Sequence, residues 1–329
     1  MKKANSHKTN DLLSLIRDVF VVNGEMIEDN GEDSHAYSIN ERYGFFGVFD
    51  GCGGIGSRKY ENYGNKTGAY LASRIVSEMS LEWFYDFCNQ NINLSEKNIN
   101  TILSSMNEFL LENLIIADNN TGQTLMKGSL AKKFPTTSSM ILCEYQQKSL
   151  EAFFVWAGDS RGYIMAEEGL SQITIDDVAG DIDAMSNLSD DGRLTNVISA
   201  SGNFKLNYKH LTISKPTIII TATDGCFGYF STPMEFEYML LKTLISSNNN
   251  QEWNAAMNKY ISKFTGDDYT MCIATSGYKT FNTLKKTFLN RKNILEKEYI
   301  SKLKTADQSK RMKLWNKYKT NYYRGDIQQ

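Results

Sequence analysis

Acidic residues in this chain stand beside glycine at four places that read as strand ends: Glu32-Asp33 after Gly31, Asp50 before Gly51, Asp224 before Gly225, and Asp267-Asp268 after Gly266. Glycine lacks a Cβ, so the backbone there can bend until a carboxylate and a main-chain carbonyl face one point in space. Hard oxygen donors of that kind suit Mg2+ or Mn2+. A single Asp-Gly reads most simply as a turn. Several carboxylates gathered without a cation, however, would repel one another and raise their own pKa values, so the combination points to metal.

The elements that must position these acids follow from the apolar pattern. Val19 to Val22, Ala36 to Ile39 and Tyr43 to Phe49 are short apolar runs between polar turns and predict strands, the last nearly all apolar and so buried on both faces. Gly51, Gly53, Gly54 and Gly56 punctuate its end, and helical periodicity over Tyr60 to Trp83 follows. Asn98 to Asp118 predicts a second helix. Ser138 to Glu144, Ala152 to Ala157 and Gly162 to Met165 predict an antiparallel meander. Residues 171 to 205 are polar with few apolar anchors, a length that suggests a flap over a site. Thr217 to Ala222 and Tyr269 to Ala274 predict two more strands, with a helix opened by Pro233 and another over Trp253 to Phe264 between them.

With the acids set on these elements, the chain resembles the metal-dependent type 2C serine/threonine protein phosphatases over about residues 15 to 277. Val48-Phe49-Asp50-Gly51-Cys52-Gly53-Gly54 is similar to the family's metal-binding glycine turn, and Glu32-Asp33-Ser34 to its early Glu-Asp motif. Thr136-Thr137, Trp156-Ala157-Gly158-Asp159-Ser160-Arg161, Thr223-Asp224-Gly225 and Gly266-Asp267-Asp268-Tyr269-Thr270 resemble its later motifs in the family's order. The resemblance implies an α+β fold, a four-layer αββα sandwich of two antiparallel sheets flanked by helices. It implies two Mn2+ or Mg2+ ions at one end of that sandwich. Asp50 would bridge both ions, Asp224 and Asp267 would complete one, and Glu32 with the Gly51 carbonyl would serve the other. Asp33 would orient water, and Asp268, in the family's Asn position, would assist Asp267 or face solvent. Two ions about 3.5 to 4 Å apart activate water against a phosphoester. The implied activity is hydrolysis of phosphoserine and phosphothreonine in proteins, with a protein kinase or its target as partner. The Asp159 to Arg161 segment reads as structural, the two side chains pairing to fix a hairpin.

Departures from the family pattern leave alternatives open. Cys52 replaces the His of many eukaryotic relatives, and a thiol is a poorer proton donor than imidazolium. Glu28 stands where the family has a phosphate-gripping Arg, for which Arg42, Arg58 and Arg193 are the candidate replacements. Lys132 and Gly228 occupy places where acids for a third ion are expected, so a third ion should be weak or absent. A regulatory pseudophosphatase that binds a phosphorylated partner with little turnover is the second reading, and a hydrolase of small phosphorylated molecules the third. His35 and His210 read as strand or surface histidines, and Asp181, Asp183, Asp190 and Asp191 as acids of a solvated flap.

Composition bounds the rest. At 329 residues, 41% hydrophobic, 22% charged and a net charge of -2, the chain has the make-up of an ordinary globular protein and predicts no nucleic-acid partner. Five scattered cysteines without a Cys-x-x-Cys pair predict reduced thiols. The basic start Met1 to Lys8 leads into no apolar run of signal-peptide length, and no run is long enough to span a membrane, so a cytoplasmic protein is expected. Residues 10 to 278 are expected to form the catalytic domain, and 279 to 329 a basic helical extension. The extension's charge reads as a solvated face packed on or beside the main body, or as a docking face for an acidic partner or membrane surface.

Overall fold

Side chains alternate across a strand, and this alternation sorts the sequence into separate cores. In β3 (Tyr43–Gly51), Tyr43, Phe45 and Phe49 enter a core shared with helices, while Phe46 and Val48 enter another that lies between two sheets. The computed structural model describes residues 11–121, 132–146, 148–180, 183–188 and 192–323. Flanking β3 in the chain are β1 (Ile16–Gly24) and β2 (Asp33–Ile39), then β4 (Thr136–Gln146), β5 (Ser149–Ala157), β6 (Arg161–Ala166) and β7 (Gly169–Gln172). The set closes with β8 (Asn207–Ile213), β9 (Thr217–Ala222) and β10 (Tyr269–Ser276). They form two five-stranded antiparallel sheets, ordered β1-β10-β9-β6-β7 and β8-β5-β4-β3-β2.

Phe46, Val48, Ile141, Phe154, Ile164 and Ile219 fill the space between the sheets. Outside the second sheet, α1 (Gly68–Gln90) and α2 (Ile99–Asn119) bury Val76, Phe84, Leu103 and Leu110 against Phe45 and Phe153. Outside the first, α3 (Pro233–Ser246) and α4 (Asn250–Ile261) bury Met239, Leu240, Trp253 and Met257 against Ile218, Ile220 and Met271. The architecture is the expected α+β sandwich of four layers.

Local signals place most helix starts. Thr232 caps α3 with Pro233 behind it, and Asn249 caps α4. The helix expected from Tyr60 begins at Gly68 instead, because Lys59–Tyr60 pairs with Lys66–Thr67 around a 3-10 turn and Thr67 Oγ1 accepts the Tyr70 N–H at 3.0 Å as the cap. Strands β7 and β8 were not anticipated. Only Leu211 and Ile213 of β8 are buried, as suits an edge strand with a polar sequence.

The tail is helical, as its periodicity predicts. In α5 (Phe281–Leu295) and α6 (Gln308–Tyr322), Leu284, Phe288, Leu295, Trp315, Tyr318 and Tyr322 join the same core as α3 and α4. Glu237 of α3, fully buried, accepts both arms of Arg291 at 2.7 Å and the Tyr318 hydroxyl at 2.6 Å. The basic segment Met1 to Lys8, Asn10 and the last six residues of the extension lie outside the described residues. Among the described residues no helix is long and apolar enough to cross a membrane, and all five cysteines are free thiols.

Candidate active site

Strand register brings the first acids together. Asp50, near the end of β3, stands opposite Asp33 on β2 and Thr137 on β4. Thr136 Oγ1 donates to the Asp50 carbonyl at 2.7 Å, tying that strand end to β4. The Gly51 N–H donates to the Glu32 carbonyl at 3.1 Å, and a Cβ on Gly51 would stand 2.4 Å from the Ala69 carbonyl oxygen, so only glycine lets this turn sit against α1. Glu32 accepts a hydrogen bond from the Thr67 hydroxyl at the start of α1.

The other sheet contributes from its own strand ends. Asp224 opens a single 3-10 turn (Asp224–Cys226) directly after β9. A Cβ on Gly225 would lie 1.9 Å from the Asp268 carbonyl oxygen, so this turn and the one before β10 interlock through a bare backbone. Thr223 Oγ1 donates to Asp33 Oδ2 at 2.8 Å and accepts the Thr270 N–H at 2.9 Å, which ties the two sheets to each other beneath the acids. Asp268 accepts the Met26 and Glu32 N–H groups, each at 2.7 Å. Its carboxylate therefore braces the loop that carries Glu32.

These turns border one cavity of about 440 Å³ at the end of the sandwich, lined by Glu32, Asp50, Gly51, Asp224, Asp267 and Asp268 together with Cys52 and Asp159. An adjoining lobe of about 260 Å³ shares Asp159, Asp224 and Asp267. Asp33 is not a wall residue and is held behind the wall by Thr223. Burial and then the charges of Asp224, Asp33, Asp159 and Asp267 push the Asp50 carboxyl well above the ordinary range. Burial raises Asp33 against the Thr223 hydrogen bond that opposes it. Burial and Asp224 raise Asp159, and the same two causes bring Asp267 to about 6. Glu32 is raised by burial and partly relieved by Thr67. Burial, then Asp50 and Asp159, push the Cys52 thiol up, so it keeps its proton at neutral pH and is no thiolate nucleophile.

The donor set is all hard oxygen, and the charges acting most on Asp50 are other carboxylates. That chemistry fits Mg2+ or Mn2+. Among the described residues, no three His, Cys, Asp or Glu side chains are grouped so as to hold an ion; the acids border the cavity without meeting at one point.

Two sequence expectations change here. Arg161 does not pair with Asp159: its guanidinium forks onto buried Asp176, with Nη2 to Oδ2 at 2.6 Å and Nε to Oδ1 at 3.0 Å. Asp159 instead borders the acidic cavity, a place its motif neighbours did not signal. Of the candidate cations, Arg42 pairs with Glu144 at 2.6 Å at the other end of β3, and Arg58 lies over the Tyr60 ring. Arg193 alone of the three borders the cavity. Glu28 and His35 are exposed, and His210 meets Glu151 at 2.8 Å away from the acids. Gly228 borders the smaller lobe and donates its N–H to the Asp224 carbonyl at 2.6 Å. Of the flap acids, Asp183 is described below, while Asp181, Asp190 and Asp191 lie outside the described residues.

The four-layer sandwich is a fold shared with bacterial serine/threonine phosphatases of known structure. Stp1 of Staphylococcus aureus matches with a TM-score of 0.58 at 16% identity, covering 79% of this chain and 95% of its own. The Mycobacterium tuberculosis phosphatase PstP/Ppp matches at 0.56 and 15% identity over 79% of this chain and 99% of its own, and a bacterial serine phosphatase at 0.56 and 16% over 80% and 99%. At such identities the likeness is one of fold. No family model matches the chain, and no curated protein does.

Proposed function

We propose that this chain is a metal-dependent phosphoprotein phosphatase that hydrolyses phosphoserine and phosphothreonine. The observation that carries this reading is that Glu32, Asp50, Asp224 and Asp267, contributed by both sheets, border one cavity, where the charges acting most on Asp50 are other carboxylates. Two Mn2+ or Mg2+ ions would be held by these carboxylates and the Gly51 carbonyl. Bound there, the cations would supply the activation of water and the neutralisation of phosphoryl charge. Residues 10–278 would form the catalytic unit and 279–329 an extension to it, acting in the cytoplasm on a phosphorylated protein such as a kinase or its target.

The chain's own residues then have distinct tasks. Arg193, exposed at the cavity wall, offers a guanidinium fork to phosphate oxygens in place of the Arg that Glu28 displaces. Asp33, fixed by Thr223, orients water from behind the acids. Cys52 keeps its thiol proton beside the cavity and can donate it to the departing alkoxide. Thr136 and Gly51 hold the Asp50 turn to β4 and to the Glu32 loop while this happens.

Hydrolysis of p-nitrophenyl phosphate and of a phosphothreonine peptide should require Mn2+ or Mg2+ and be abolished in Asp50→Ala and Asp224→Ala. Equal rates in EDTA and in those variants refute the reading. The exposed Glu28 at the expected Arg position favours one alternative, a pseudophosphatase, which would bind the phosphopeptide without turning it over. Preference for sugar phosphates over the peptide would make the protein a small-molecule hydrolase.

A further inference from the structure

The last helix does more than cover a sheet. Asp307 caps α6 by accepting the Lys310 N–H at 2.8 Å, and Trp315, Tyr318 and Tyr322 are buried. The polar tips of its aromatic residues reach into the segment between β7 and β8. Trp315 Nε1 donates to both oxygens of Asp183 at 2.8 and 3.0 Å, with Lys319 Nζ 3.3 Å from the same carboxylate. The Tyr323 hydroxyl accepts the Ala184 N–H at 2.6 Å. Tyr322 donates to Gln172 Oε1 at 3.0 Å, and Gln172 Nε2 donates to Asp176 Oδ1 at 3.0 Å.

The segment held in this way is a wall of the cavity. Asp183 accepts the Met185 N–H at 3.1 Å and so fixes the approach to the 3-10 turn Ser186–Leu188. Asn187 of that turn donates to Asp176 Oδ2 at 2.9 Å, and Asn187, Leu188 and Asp176 line the smaller lobe together with Asp224 and Asp267. A polar connection with few buried apolar side chains has little of its own to offset the conformational entropy of being ordered. Ala184, fully buried, with Met185 and Leu188 partly buried against the same core, gives its apolar footholds here, and α6 supplies polar ones.

We propose that α6 is a strap that positions the 183–188 wall of the cavity through Trp315 and Tyr323, and through Tyr322 by way of Gln172 and Asp176, so that the C-terminal helix sets how a protein substrate fits. The consequence for substrate rests on the phosphatase reading above; the strap itself does not. Trp315, Tyr322 and Tyr323 are positioning residues. A phosphorylated peptide, which must lie along the wall, depends on them, whereas p-nitrophenyl phosphate needs only the acids and Arg193.

The test uses the full chain with Mn2+, comparing wild type with Trp315→Phe and Tyr323→Phe by hydrogen–deuterium exchange and by kinetics on a phosphothreonine peptide and p-nitrophenyl phosphate. Loss of a hydrogen bond to a charged group should speed exchange over residues 184–188 about ten-fold in Trp315→Phe. The peptide KM should rise about ten-fold at nearly constant kcat, with p-nitrophenyl phosphate kinetics unchanged. Asp183→Asn with Trp315 intact, which keeps an oxygen acceptor for the indole N–H, should retain most of the protection. Unchanged exchange in both variants overturns the strap, and equal losses on the two substrates overturn its role in substrate fit. Should Trp315→Phe fail to fold, Tyr323→Phe decides, because Tyr323 is 42% exposed at the helix end. Wild type that hydrolyses neither substrate sinks the phosphatase reading, and exchange alone then decides the strap.

Discussion

Two sets of carboxylates in this molecule are removed from water and treated in opposite ways. In the seam between α3, α5 and α6, the buried acid Glu237 meets Arg291 and Tyr318, and beside the cavity's smaller lobe buried Asp176 meets Arg161 and Gln172. At the cavity, burial and then the charge of Asp224 raise the carboxyls of Asp50, Asp159 and Asp267. An ion pair inside a protein offsets its own desolvation only with good geometry, and the seam has that geometry. Carboxylates that border one cavity are held there by the surrounding fold at a standing cost, which the proposed cations would offset.

The contrast can be broken most sharply by removing one acid from each side. Asp224→Asn should lower Mn2+-dependent hydrolysis on the order of 10³-fold, several kcal/mol of transition-state stabilisation, as read from kcat/KM. The same kind of change at Asp50, Asp50→Asn, should raise the thermal midpoint measured in EDTA, because one of the repelling charges is gone. At the seam the sign reverses: Glu237→Ala leaves Arg291 buried without its partner and should cost about 3–5 kcal/mol in urea denaturation. Saturating Mn2+, at about one hundred times its Kd, should stabilise wild type by roughly 2.7 kcal/mol and Asp50→Asn by much less, as measured by thermal unfolding. The smallest effect belongs to the cations: Arg193→Ala should raise KM for p-nitrophenyl phosphate about ten-fold, while Arg42→Ala leaves it unchanged. An unaltered KM in Arg193→Ala would remove that residue from the site.

What could be read in the sequence depended on how local the cause was. The apolar runs of β3, β9 and β10 and the glycines beside Asp50 and Asp224 are local signals, and they located both the layers and the acids. Strand β8 was missed because an edge strand needs few buried side chains, and Leu211 and Ile213 alone do not make an alternating run. The start of α1 was displaced because the apolar period runs back through Tyr60, while the cap at Thr67 that decides the matter is a single hydroxyl. Partners distant in the chain were out of reach altogether. Nothing near Arg161 marks Asp176 as its acid in place of Asp159, and nothing near Asp268 says that its oxygens brace Met26 and Glu32. The periodicity of the tail announced helices, but their tie to Asp183 and Ala184 depends on where the polar tips of Trp315 and Tyr323 arrive.

The pairing of β1 with β10, in which Asn23 faces Thr270, also governs how the chain comes into being. Strands β2 to β5 find neighbours close behind them during synthesis, whereas β1 leaves the ribosome with its partner still untranslated, at about 5–20 residues per second a delay of tens of seconds. For that time it is an open edge able to pair with other chains. Fragments that stop before Tyr269 should therefore aggregate even though they contain Asp50 and Asp224, and slower, cooler expression should favour the intact protein.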